Sequence, residues 1–96
     1  MKKYNIAIVG ATGNVGREIL NILDSRAFPI KEIFALASSK SEGQKIIYGN
    51  DKEAIIKDLE KFEFKNVDIV FSSAGSEVSK EFIPKAVKSG TIVIDN

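Results

Sequence analysis

Between Val9 and Gly16 the chain reads Val-Gly-Ala-Thr-Gly-Asn-Val-Gly, and no other stretch limits the possible folds so strongly. Ile6, Ala7, Ile8 and Val9, just before it, have the length and make-up of a parallel strand buried on both faces. Beyond Arg17, apolar residues recur at helical spacing in Ile19, Leu20, Ile22 and Leu23. A strand must therefore pass into a helix through spaced glycines. Gly10 permits the sharp turn, Gly13 removes a Cβ that would hold backbone N–H groups away from a pyrophosphate, and Gly16 lets the helix settle against the strand. The amides of the turn and the positive end of the helix dipole then attract an anion. The spacing is G-x-x-G-x-x-G, whereas the dinucleotide fingerprint is G-x-G-x-x-G, and the same glycines would also serve a tight turn that binds nothing. The position between a buried strand and an amphipathic helix favours the dinucleotide.

At 96 residues and 44% hydrophobic, the chain can bury one modest core. Net charge is +1, with lysines and acids mixed along the chain, so there is no basic stripe for nucleic acid. Cysteine and histidine are both absent, which removes disulfides, thiolate metal sites, the usual zinc ligand and the usual general base. The apolar segment before Gly10 is too short for a signal-peptide core or a membrane span, and a cytoplasmic protein is expected.

Strand and helix patterns alternate along the chain. A strand at about Asn5 to Val9 leads to a helix at about Asn14 to Arg26, which Phe28-Pro29 should end. Ile33 to Ala37 reads as the next strand, stopping at the polar loop Ser38 to Gly43. Lys45 to Tyr48 and Glu53 to Lys57 suggest short strands around Gly49-Asn50-Asp51, although Ala54, Ile55, Ile56 and Leu59 fit a helical turn equally well. Val67 to Phe71 is a strand running into Ser72-Ser73-Ala74-Gly75. A helix follows from about Val78 to Ser89, beginning nearer Lys80 if Pro84 is to fall in its first turns, and Gly90 stops it before a last strand at Thr91 to Ile94. The alternation predicts an α/β, Rossmann-like parallel sheet with right-handed crossovers and helices on both faces. It is incomplete, about half of a doubly wound sheet, so an apolar edge and face should remain uncovered, giving marginal stability or association.

The end of the second strand bears on which nucleotide binds. NAD-binding domains place an acidic residue roughly twenty residues beyond the glycines, where it accepts hydrogen bonds from the ribose hydroxyls. Here Ser38 stands in that region, followed by Ser39, Lys40 and Ser41. Their hydroxyls can donate to a 2′-phosphate and the lysine can offset its charge, so NADP is favoured over NAD. A solvated serine-rich loop is the bland alternative. Ser73, Ala74, Gly75 and Ser76 end another parallel strand, where small residues admit a dinucleotide and serine can donate to it or cap the following helix.

Taken together, Ile6 to Gly16, Phe28-Pro29-Ile30, Leu36 to Gly43, Val67-Asp68-Ile69 with Ser73-Ala74-Gly75, and Val93 to Asn96 resemble the amino-terminal part of aspartate-semialdehyde dehydrogenase across the whole chain. The resemblance implies an enzyme that reduces aspartyl phosphate to aspartate semialdehyde with NADPH and releases phosphate, on the route to lysine, threonine, methionine and diaminopimelate. By that similarity Gly10, Thr12, Gly13, Asn14 and Val15 face the pyrophosphate and nearby ribose. Ser38, Lys40 and Ser41 take the 2′-phosphate; Ser73, Ala74 and Gly75 line the cofactor further along, and Asn96 approaches its nicotinamide end. The family usually carries arginine where Lys40 stands, which implies weaker selection of the phosphate.

The family's chemistry uses a cysteine that forms a thioester with the acyl group, an acid–base histidine, and arginines for the substrate. Cysteine and histidine do not occur here. Residues 1–96 are therefore expected to be the NADP-binding domain of a longer enzyme, truncated, with no catalytic residue of their own and no metal site. The active-site segment and the interface of a homo-oligomer are expected beyond Asn96. Two alternatives stay open: a reductase of similar build, such as N-acetyl-gamma-glutamyl-phosphate reductase, and a non-catalytic NADP-binding module.

Overall fold

A computed structural model describes residues 2–73 and 76–95. Strand β1 (Tyr4–Val9) is followed by helix α1 (Asn14–Ser25), β2 (Ile30–Ala37), β3 (Lys45–Tyr48), β4 (Lys52–Asp58), β5 (Ile69–Ser72), α2 (Ser76–Lys88) and β6 (Ile92–Asp95). They form one sheet in the order β3-β4-β2-β1-β5-β6. β1 pairs in parallel with β2 and β5, β2 with β4, and β5 with β6. From β1 the chain passes to β2, then to β3 at the edge and back to β4 between them, before it crosses to build β5 and β6 on the other side. The reversal lies between β1 and β5, where open α/β sheets leave a crevice at the carboxyl ends of their strands.

Strand periodicity explains the two cores. Ile6 and Ile8 pack on one face with Leu20 and Leu23 of α1, whereas Ala7 and Val9 pack on the other with Phe82 and Ala86 of α2. All four β1 residues are wholly buried. Burying a side chain such as Leu20 is worth about 1.5–3 kcal/mol, so helices on both faces hold β1 at the centre. Beyond that centre the α1 face is bare, and Ile92 and Ile94 of β6 are 62% and 48% exposed.

Three expectations are corrected. The sheet is mixed, because β3 runs antiparallel to β4 and pairs Ile46 with Ala54. The stretch that also fitted a helical turn is thus a hairpin: Ile46, Ala54 and Ile56 are buried, while Ile47 and Ile55 face outward. Helix α1 ends before Pro29 does anything to it. The Ala27 amide donates to Asp24 O, the Phe28 amide donates to Leu23 O, and Ala27 takes a positive φ of 51°, closing the last turn on its own carbonyls. Helix α2 starts at Ser76 and holds Pro84 in its interior. The hydrogen bond lost there, a cost of about 3 kcal/mol, is offset by burial of Phe82 and Ala86 on either side of the proline.

The tip of the hairpin is tied to α1. Asn21 Oδ1 accepts the Gly49 amide at 2.8 Å, and Asp24 pairs with Lys52. The Asp24 carboxylate, hydrogen-bonded to it, holds the Lys52 ammonium above the usual lysine range, and burial raises the Tyr48 phenol. Gly49, at φ 62°, lies so close to the Asp24 side chain that a Cβ would collide with it.

Candidate functional site

Between β1 and α1 the chain turns at Gly10, whose φ of 82° strains any residue with a side chain. Its amide and that of Ala11 donate to Leu36 O of β2 at 3.0 and 3.3 Å, while the Gly13 amide folds back onto Gly10 O at 3.1 Å. A Cβ on Gly16 would sit 2.5 Å from Gly10 O and 2.9 Å from Ala11 Cα. Gly10 and Gly16 are therefore glycines that the fold itself demands.

Gly13 is different. It is the N-cap of α1 with φ −82° and ψ 168°, a conformation open to any residue. A Cβ there would meet only Gly10 O, at an ordinary 3.5 Å. Among the described residues nothing requires glycine at this position. It also offers no side chain to cap the helix, and no acidic residue stands in the first turn. Among the described residues no acceptor meets the amides of Asn14 and Val15. Exposed donors at the positive end of a helix, with a side chain missing just in front of them, suit a phosphate.

The carboxyl ends of the parallel strands bring the other loops to the same edge. A cavity of about 350 Å³ lies between the glycine turn and the ends of β2 and β4, lined by Gly10, Thr12, Ser38, Ser39, Asp58, Leu59 and Glu60 with Glu81 of α2. Ser38 precedes a single 3-10 turn, Ser39–Ser41, in which the Ser41 amide donates to Ser38 O at 3.0 Å. Lys40 is exposed on that turn and Ser41 is half-buried; neither lines the cavity. Nor does Val15, whose side chain, 44% exposed, faces an apolar groove with Ile19, Ile22, Phe71 and Ile94. Gly13 and Asn14 also stay off the cavity wall; the Gly13 amide is already given to Gly10 O, whereas those of Asn14 and Val15 are not paired among the described residues.

Ser73 also reaches this edge. Its hydroxyl donates to Val9 O at 3.0 Å and lies 3.3 Å from Gly10 O. Its one hydroxyl proton is used in fastening β5 to the glycine turn, so here it positions the turn and donates to no ligand. Ala74, Gly75 and Asn96 lie outside the described residues. The end of β4 was not singled out from sequence. Asp58, Leu59 and Glu60 follow an apolar run whose period was ambiguous, and only the alternation of Ala54, Ile56 and Asp58 along a strand pointed to them.

A larger cavity, about 930 Å³, opens at the opposite edge, where β1 and β5 begin, with Tyr4, Asn5, Asp68 and Ile69 in its lining. Gly90, where the chain turns after the carboxyl end of α2, lines it, but among the described residues no helix N-terminus does. Among the described residues there is no cluster of His, Cys, Asp and Glu that could hold a metal, and no helix long and apolar enough to cross a membrane.

Residues 5–96 match the family model of the semialdehyde dehydrogenase NAD-binding domain. Aspartate-semialdehyde dehydrogenase of Rickettsia conorii is 56% identical over 94 residues, which are 98% of this chain and 28% of that protein. The Legionella pneumophila enzyme of the same name is 50% identical over 95 residues, 99% of this chain and 27% of its own length. The crystal structure of aspartate semialdehyde dehydrogenase II from Vibrio cholerae, complexed with ASA, superposes with a TM-score of 0.92 at 42% identity, over 99% of this chain and 31% of that one. The chain thus spans under a third of the length of these relatives.

Proposed function

The chain belongs to the semialdehyde dehydrogenase NAD-binding domain family, and from that premise we propose that residues 1–96 are the NADP-binding domain of an aspartate-semialdehyde dehydrogenase. The enzyme would reduce L-aspartyl 4-phosphate to L-aspartate 4-semialdehyde with release of phosphate. Relatives of that name at 50% and 56% identity support this over the related glutamyl-phosphate reductases and over a module without turnover. The reading takes the whole enzyme as a cytoplasmic homo-oligomer acting on a small molecule, with no nucleic-acid or membrane partner.

The observation that carries the cofactor reading is the bare start of α1. Among the described residues, packing does not demand glycine at Gly13, and the amides of Asn14 and Val15 behind it meet no acceptor. The residues fit a dinucleotide: Gly10, Thr12, Gly13, Asn14 and Val15 would hold the diphosphate, and Ser38, Lys40 and Ser41 the 2′-phosphate. Ser73 secures the turn, and Ala74 and Gly75 would extend the binding edge. NADPH, when bound, supplies a hydride. The chain itself binds and orients; without cysteine or histidine it holds neither the nucleophile nor the acid–base group this chemistry uses.

Cofactor choice rests on Ser38 to Ser41. No carboxylate stands on that turn to repel a 2′-phosphate, and Lys40 supplies a point charge, weaker in discrimination than the planar fork of arginine. Fluorescence titration should show NADPH binding more tightly than NADH, and Lys40→Glu should abolish the preference. Equal affinities in the unaltered protein would refute the assignment to NADP.

A further inference from the structure

The cavity at the amino ends of β1 and β5, about 930 Å³, carries charges that the cofactor edge does not use. Lys2, Lys31 and Lys65 line it with Glu32 and Asp68, three cations against two carboxylates. Among the described residues Lys2 and Lys31 enter no ion pair, and Lys65 meets Glu63 at 3.9 Å between two largely exposed side chains, an interaction of little worth. The Lys2 ammonium instead stands 5.5 Å from the centre of the Tyr4 ring, a cation–π position on the cavity wall.

Asn5 is the fixed point of that wall. Its backbone amide donates to Asp68 Oδ2 at 2.8 Å, its Nδ2 donates to Asn66 O at 2.8 Å, and the Asp68 amide returns a bond to Asn5 O at 2.9 Å. Turning the side-chain amide over would set its oxygen against that of Asn66. Asn5 Oδ1 is nevertheless buried and meets no donor among the described residues. An acceptor left unpaired in this way is costly, and it marks a place where a donor from outside the chain is wanted.

We propose that this cavity binds a free α-amino acid with an acidic side chain, its ammonium group on Asn5 Oδ1 beside Asp68 and its two carboxylates on the lysines. A charged N–H donor satisfies the orphaned oxygen, and the Asp68 carboxylate next to it favours a cation there. The charges are complementary: one cation and two anions on the ligand meet three lysines and two acids on the wall. The site shares no residue with the cavity at the glycine turn, so it does not rest on the cofactor reading.

The test is an NMR titration of the labelled protein with L-aspartate and, separately, with succinate, which has both carboxylates and no amine. L-Aspartate should shift the amides of Asn5, Asn66 and Asp68 and bind at least about tenfold more tightly than succinate, the usual worth of a hydrogen bond to a charged group. Replacing the exposed Lys31 and Lys65 together, Lys31→Gln with Lys65→Gln, should weaken both ligands alike. Asn5→Ala should bring the affinity for L-aspartate down to that for succinate, whereas loss of a merely structural group would leave their ratio unchanged. No saturable shift with L-aspartate, equal affinities in the unaltered protein, an unchanged ratio in Asn5→Ala, or shifts centred on Gly13 to Val15 would overturn the proposal and leave the cofactor reading in place. Should Asn5→Ala not fold, the ratio in the unaltered protein and the double lysine variant decide.

Discussion

The two ends of α1 are finished differently. At its carboxyl end the chain answers its own needs: Ala27 and Phe28 donate to the last carbonyls, the Ser25 hydroxyl donates to Ile22 O, and Asn21 and Asp24 hold the hairpin through Gly49 and Lys52. At its amino end Gly13 provides no cap, and the amides of Asn14 and Val15 have no acceptor among the described residues. Helix termini normally have such groups satisfied by side chains, water or ligands. One end is thus closed by the protein, and the other is left open toward the edge where Ser38, Ser39 and Asp58 gather. A glycine near a closed end is explained by packing. At the open end the fold explains Gly10 and Gly16 as well, but not Gly13.

The strongest way to break this contrast is Gly16→Ala. The added Cβ meets the backbone of Gly10 and Ala11, which cannot swing aside, so α1 must lift from the sheet. Stability should fall by about 2–3 kcal/mol, read from a denaturant midpoint, with cofactor affinity falling too. Gly13→Ala separates the two effects. Its Cβ has room and an allowed backbone, so stability should drop by about 1 kcal/mol or less, the difference between glycine and alanine at an N-cap. NADPH affinity should nevertheless fall by about tenfold, roughly 1.4 kcal/mol, because the methyl group stands in front of the open amides. A stability loss in Gly13→Ala as large as that of Gly16→Ala, with unaltered affinity, would place Gly13 with the packing glycines.

The open end was legible in the sequence because everything it needs is local. Ile6 to Val9 marks a strand, Arg17 to Leu23 marks a helix, and three glycines stand at the passage between them, although their spacing departs from the dinucleotide fingerprint. Most elements follow from the same two periods. What stayed hidden depends on distant partners. Ala54-Ile55-Ile56 fits either period until β3 pairs with it and buries Ala54 and Ile56. Asp58 looks like a surface acid until the parallel pairing of β4 with β2 places it opposite Ala37 and encloses it. Ser73 looks like a free donor, but it is fastened to Val9, 64 residues earlier. Pro84 argues locally for a later helix start, and burial of Phe82 and Ala86 outweighs it.

The most direct measurement follows the backbone amides of both ends of α1 by NMR while NADPH is added to the labelled protein. The open-end account predicts large shifts for the Gly13, Asn14 and Val15 amides, with those of Ala27, Phe28 and Gly49 unmoved. NADPH bound without a response at Gly13 to Val15, or with its largest shifts around Tyr4, Asn5 and Asp68 at the other edge of the sheet, would contradict it.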